Sequence, residues 1–289
     1  MERRMPRQAL IIGCGYTGRR VARSLLERGW SVTATSRSPE TLAEIAILGG
    51  RVIHFDATTS SEVKASASGK TVLISVPTLR GVAGLDEPTP RIVAALDGVP
   101  KHITYLSTTG VYGSTFRVDS ETPAAPETER QRLRKLAEVA VLACEAPSLV
   151  LRPAAIYGPG RGVHAAMRQG RFSLARGVSR LVSRIHVDDL ARIAVASMER
   201  CVEGVFPVAD ELPAPSSDVA AFCARLLALE KPPFASEAEM PETRRFGRKV
   251  DGSAIFGLLC LDLLYPTYRE GITASVAEER DTAQTMGAE

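Results

Sequence analysis

Short apolar runs alternate with helical patterns through the first half of the chain. Gln8–Ile12 predicts a strand that runs straight into a glycine-rich turn. Thr17–Arg28 places Val21, Leu25 and Leu26 on one helical face, and Gly29 supplies the stop. Ser31–Thr35 predicts a second strand. Ser38-Pro39 predicts the start of a second helix, with serine as N-cap and proline, whose fixed φ suits the first turn, just inside it. Arg51–Phe55, Thr71–Val76, His102–Ser107 and Ser148–Leu151 predict further strands. Leu85–Leu96 predicts a helix that Pro88 and Pro90 confine to its later part, and Glu127–Cys144 a long amphipathic one. Strands alternating with helices make a parallel sheet covered on both faces. Right-handed crossovers then give a Rossmann-type, doubly wound α/β fold.

The second half is less regular. Ser183–Val187 and Gly204–Val208 predict strands, the first followed by a helix to about Arg200 that Asp188 or Asp189 caps. A helix is expected from about Ser217 to Leu229, loops over 231–250, and a disordered polar tail over about 277–289. The expected organisation is a nucleotide-binding domain over 1–157, completed by about 183–200, and a smaller substrate-binding region over 158–289.

Composition narrows the class. At 289 residues, 45% hydrophobic and 24% charged, the chain has the make-up of an ordinary soluble protein. A net charge of +3 is too small to imply nucleic acid. Arg3, Arg4 and Arg7 sit at a terminus expected to fray, and Arg130, Arg132, Arg134 and Lys135 share one helix, where a solvated face or a few phosphate contacts account for them. The five cysteines are scattered, none in metal-ligand spacing, which fits a reducing cytoplasm. Cys14 reads as a small residue filling a tight turn, with reactivity near bound phosphates as the alternative. No apolar run is long enough for a bilayer span, and the first residues do not form a signal peptide.

The chemistry begins at Gly13-x-Gly15-x-x-Gly18, which follows a strand and opens a helix. Gly13 allows the tight turn, Gly15 clears the way for a pyrophosphate, and Gly18 lets the helix approach the sheet. Tyr16 and Thr17 lie at the helix N-terminus, whose N–H groups and dipole stabilise phosphate charge. The second strand ends in Ser36-Arg37-Ser38 where NAD binders carry an acid. Arg37 offers a planar fork for a 2′-phosphate and Ser36 a hydroxyl, which favours NADP, with NAD as the alternative. A solvent-exposed loop arginine is the other reading of Arg37. Asp56, after the third strand, is a candidate for the adenine amino group or a turn residue.

Three further segments follow in order: Ser107-Thr108-Thr109-Gly110-Val111-Tyr112-Gly113, Leu151-Arg152-Pro153-Ala154-Ala155-Ile156-Tyr157-Gly158-Pro159-Gly160, and Ile185-His186-Val187-Asp188-Asp189-Leu190-Ala191. With the glycine turn they resemble the extended short-chain dehydrogenase/reductase superfamily, the NAD-dependent epimerase/dehydratase family, over residues 8 to about 229. The glycine spacing differs from that family's commonest G-x-x-G-x-x-G, which points to an atypical subgroup. The resemblance implies an NAD(P)-dependent oxidoreductase or epimerase acting on a hydroxyl-bearing, nucleotide-sugar-like small molecule, often as a homodimer. It places Thr108 as the group that orients the substrate oxygen and Pro153 as the residue behind the nicotinamide; Val76 and Ser107 are further candidates for cofactor binding.

One departure matters. The family transfers its proton through a Tyr-x-x-x-Lys pair, and no tyrosine here has a lysine four residues later. Matching the helix glutamate, Glu138, puts Arg130 at the tyrosine position and Arg134 at the lysine position. A guanidinium stays protonated, so it is a poor acid or base. Arg134 can still hold ribose hydroxyls, whereas the proton route is unassigned. Tyr157, Tyr112 and His186 are candidate substitutes, each with a structural alternative. Arg168, Arg171, Arg176, Arg180 and Arg184 are candidates for substrate phosphates or surface charge. A non-catalytic NADP sensor is the competing reading.

Overall fold

The computed structural model describes residues 7–81, 84–176, 180–236 and 247–286. Arg3, Arg4, the middle of the expected 231–250 loop and the last three residues of the expected tail lie outside them. Seven strands form the central parallel sheet: β1 Gln8–Ile12, β2 Ser31–Ser36, β3 Arg51–His54, β4 Thr71–Ile74, β5 His102–Leu106, β6 Ser148–Pro153 and β7 Gly204–Val208. Their order is β7-β6-β5-β4-β1-β2-β3. Chain order therefore reverses direction between β1 and β4, the place where an open α/β sheet leaves a crevice at its strand ends. Registers such as Leu10 opposite Thr33 and Val72, and Leu73 opposite Thr104, are parallel.

The helices are α1 Tyr16–Glu27, α2 Ala43–Ile47, α3 Thr89–Ala94, α4 Glu129–Leu142, α5 Val163–Arg168, α6 Val187–Arg200, α7 Ser216–Leu227, α8 Ser253–Leu259 and α9 Tyr268–Met286. Strand residues alternate between faces. Leu10, Ile12, Val72, Ile74, Ile103, Tyr105 and Val150 thus share one core with Ile92 of α3 and Ala137 and Val141 of α4. Each such aliphatic side chain removed from water contributes about 1.5–3 kcal/mol.

Several local expectations change. The segment after Ser38 is a 3-10 turn, Pro39–Leu42, before α2, and Ser38 makes no side-chain cap; it is tied to Ser36 instead. The Leu85–Leu96 helix shrinks to α3, preceded by a small hairpin of Leu79–Gly81 and Gly84–Asp86. α4 starts at a capping box in which Thr128 accepts from the Gln131 N–H and the Gln131 side chain accepts in return. α6 begins at Val187, so Asp188 and Asp189 both lie inside its first turn, and the Asp189 carboxylate accepts from the N–H groups of Leu264 and Tyr265.

The chain divides into two compact units. Of the described residues, one holds those up to Gly113 with Pro123–Arg152 and Leu190–Phe206; the other holds Ser114–Thr122 and those within Pro153–Asp189 and from Pro207 onward. The second unit has its own core of Tyr157, Met167, Phe172, Val219, Ala220, Cys223, Tyr268, Ile272 and Val276. The expected disordered tail is largely α9. Its apolar residues Tyr268, Ile272 and Val276 enter that core, and Glu279 accepts from Gly160 N–H, His164 and Arg168.

Candidate functional site

β1 delivers the chain into the turn at Gly13, whose φ of +83° suits glycine. A Cβ there would stand 3.0 Å from the Ser75 backbone and from Val76 Cγ2, so the turn leans on the chain just beyond β4. At Gly18 a Cβ would meet the Gly13 carbonyl at 3.1 Å and Ile11 Cγ2 at 3.4 Å, which is the close approach of α1 to β1. Gly15 is different: it is exposed, and a Cβ would find nothing within 4 Å. Open space lies directly before α1, which has no side-chain cap and no acid in its first turn. The first i→i−4 bond of the helix runs from Arg19 N–H to Gly15 O, so the earlier N–H groups have no acceptor within the helix. That is a cradle for an anion, and it fits a dinucleotide pyrophosphate.

Thr35 holds the turn in place: its hydroxyl accepts from Gly13 N–H at 3.0 Å and its carbonyl from Cys14 N–H at 2.8 Å. Cys14 is buried, and desolvation pushes its thiol up to about 12, so it fills the turn rather than reacting. Thr17 is buried, and Tyr16 carries the Arg20 guanidinium over its ring. At the end of β2 the Ser36 hydroxyl bonds Ser38, and Arg37 is exposed. Asp56 closes a turn through Oδ1, accepting from Thr58 N–H and Oγ1, and these bonds, aided by Arg37, hold its carboxyl below the usual range.

At the other arm of the sheet, Ser107 spends its hydroxyl on Glu138 at 2.6 Å. Burial pushes the Glu138 carboxyl up, but the Arg152 fork, Ser107 and Lys135 outweigh it and keep it below its ordinary value. Arg152 also lies over the Tyr112 ring, so both are structural. Thr108 accepts from Gly110 N–H at 3.1 Å, which leaves its own proton to donate.

Arg134 faces inward and spends its guanidinium on protein: Nη1 donates to Val76 O at 3.0 Å and Glu87 at 3.1 Å, and Nη2 to Leu106 O at 2.5 Å. It clamps strand ends instead of standing open to a ribose. Arg130, one turn earlier, is half-buried. Sequence reasoning missed Glu87, which follows the hairpin in a Pro-rich stretch with no periodic signal.

In the second unit the expected chemistry of Tyr157 is corrected. The phenol is buried against Gly271, where any Cβ would collide with it, and it donates to Thr267 O at 3.3 Å. Desolvation, reinforced by Asp210 and Asp189, raises its pKa further from neutrality. His186 is buried between the rings of Tyr157 and Tyr265 and bonded to Ser275 at 3.1 Å, a packing role. Arg168 is paired with Glu279, and Arg184 is buried with Nη1 donating to Val182 O and Ala214 O, so neither stands free for phosphate. Pro153 ends β6, buried like the rest of that strand. Among the described residues no helix is long and apolar enough to cross a membrane, and no group of three or more His, Cys, Asp or Glu is placed to hold a metal ion.

Comparison with known proteins agrees with the turn's geometry. The model of an NAD(P)H-binding family matches residues 13–200. A functionally unknown conserved protein from Silicibacter pomeroyi is 33% identical, with a TM-score of 0.77 over 94% of this chain and 98% of that one. Protein YeeZ of Escherichia coli is 25% identical over 90% of this chain and 97% of its own length. MoeE5, solved in complex with UDP-glucose and NAD, shares the fold at 20% identity, with a TM-score of 0.77 over 96% of this chain and 99% of that one. The chain thus belongs to the NAD(P)H-binding family.

Proposed function

We propose that the chain binds NADP(H) along the β1–α1 turn and acts as an oxidoreductase or epimerase-like enzyme at a hydroxyl-bearing carbon of a sugar-like small molecule, a nucleotide-linked sugar being the class its motifs imply. The contrast among the glycines carries this reading: Gly13 and Gly18 are closed by neighbours, and Gly15 is open before the N-terminus of α1. The pyrophosphate would be held by Gly15, Tyr16, Thr17 and Gly18, and the 2′-phosphate by Ser36 and Arg37, with Asp56 near the adenine. Val76, Ser107 and Pro153 would border the nicotinamide end, Pro153 closing β6 and Ser107 and Val76 one and two residues beyond β5 and β4. When bound, the nicotinamide supplies a hydride donor or acceptor. The Thr108 hydroxyl donates to the substrate oxygen and fixes its direction, while Arg134 keeps the strand ends in register.

The test is cofactor-dependent turnover across a panel of sugars and nucleotide sugars, parent against Thr108→Val. Loss of one donor to a developing oxyanion should cost roughly 100-fold in kcat with NADPH affinity unchanged. Equal turnover by the variant would contradict the role of Thr108. A second reading, an NADP-binding regulatory protein without catalysis, is supported by α4, which turns Gln131, Arg134 and Glu138 inward onto structural partners. Tight NADPH binding with no turnover on any substrate would favour it.

We also propose a homodimer through α4, which exposes Leu136, Val139 and Leu142 along one side.

A further inference from the structure

We propose that Glu87 is a positioning residue for the nicotinamide half of NADP(H), acting through Arg134 on the ends of β4 and β5. The proposal rests on the cofactor reading above. Glu87 is buried, and both its oxygens are engaged. Oε2 accepts from Thr78 Oγ1 at 2.7 Å and Arg134 Nη1 at 3.1 Å; Oε1 accepts from Thr89 Oγ1 at 2.6 Å and Thr89 N–H at 3.3 Å. Thr78 precedes the small hairpin and Thr89 opens α3, so this carboxylate closes the excursion after β4 at its base.

Arg134 carries that fix to the sheet. Its Nη1 holds the carbonyl of Val76, two residues beyond β4, and its Nη2 holds the carbonyl of Leu106, two residues before Thr108. The guanidinium also lies 4.9 Å from the centre of the Tyr105 ring. One ion pair thus registers the chain just beyond β4, the root of the Thr108 turn and α4. Removing the carboxylate leaves a buried guanidinium without its counter-charge. The strand order confines the effect: β4 and β5 lie on one side of β1, and β2, which ends in Ser36 and leads to Arg37, lies on the other. The pair therefore governs one half of the cofactor.

The experiment titrates the parent, Glu87→Gln and Arg134→Lys with NADPH and with 2′,5′-ADP, which keeps the adenine and the 2′-phosphate but lacks the nicotinamide. Thermal melting without ligand shows that each variant is folded. In Glu87→Gln, NADPH affinity should fall about tenfold or more while 2′,5′-ADP affinity stays within about twofold of the parent. Arg134→Lys keeps the charge and should fall between; if Glu87→Gln does not fold, the same comparison is made on Arg134→Lys. Equal loss for both ligands, or no loss for either, overturns the proposal. A parent chain that binds neither ligand overturns the cofactor reading itself, and the positioning role with it.

Discussion

Gly13 and Gly15 stand two residues apart and answer to different constraints. Gly13→Ala puts a side chain into a left-handed backbone and against Ser75 and Val76, so it should cost about 1–2 kcal/mol or more in thermal stability. Gly15→Ala enters open space, so its melting should stay within about 0.5 kcal/mol of the parent while NADPH binding weakens. Melting curves beside titrations check both, and the reverse ordering would contradict the division of labour in the turn. These glycines were legible because a close backbone approach leaves a mark in residue type. Arg134 was legible only as a cation on the right helix. Its direction is set by Val76 and Leu106, 58 and 28 residues away in sequence, which no local pattern encodes. Tyr157 misled for the same reason: its place in a motif could not show that Gly271 was pressed against it.

At the scale of elements, strand and helix periodicity showed β1 through β7, because apolar runs bounded by turns leave a strong signal. It missed α9, whose apolar residues are sparse and gain their meaning only in a core shared with α5 and α7. The strand β7 ends next to a second case, Asp210. Its carboxylate is buried beside Arg184, Asp189 and Tyr157. Desolvation outweighs Arg184 and raises its pKa from 3.8 to about 8. A raised folded value means that this group's contribution to stability is full below 3.8 and is lost as pH rises towards about 8. Asp210→Asn keeps the shape and removes the titration. Its melting temperature relative to the parent should rise between about pH 5 and pH 8, the interval in which the two states bind different numbers of protons. A difference that does not vary with pH would contradict the buried, protonated state.

For the molecule as a whole, the doubly wound sheet and its glycine turn were written plainly in the sequence, because both follow from short-range patterns. The reaction was not, because no tyrosine in the chain has a lysine four residues later to mark a proton route. Quaternary structure lies between: the exposed apolar side of α4 should bring copies together, and light scattering after gel filtration should give about twice the 31.0 kDa chain mass. Leu136→Lys with Val139→Lys should then return the monomer mass; a parent monomer at all concentrations would exclude this contact. The cofactor site comes before all of these. The most direct measurement is a titration of the parent chain with NADPH and with NADH, followed by cofactor fluorescence. NADPH should bind tighter by about tenfold or more, the order of one charge-assisted contact from Arg37 to the 2′-phosphate. Preference for NADH would contradict the assignment of Arg37, and binding of neither would contradict the cofactor site.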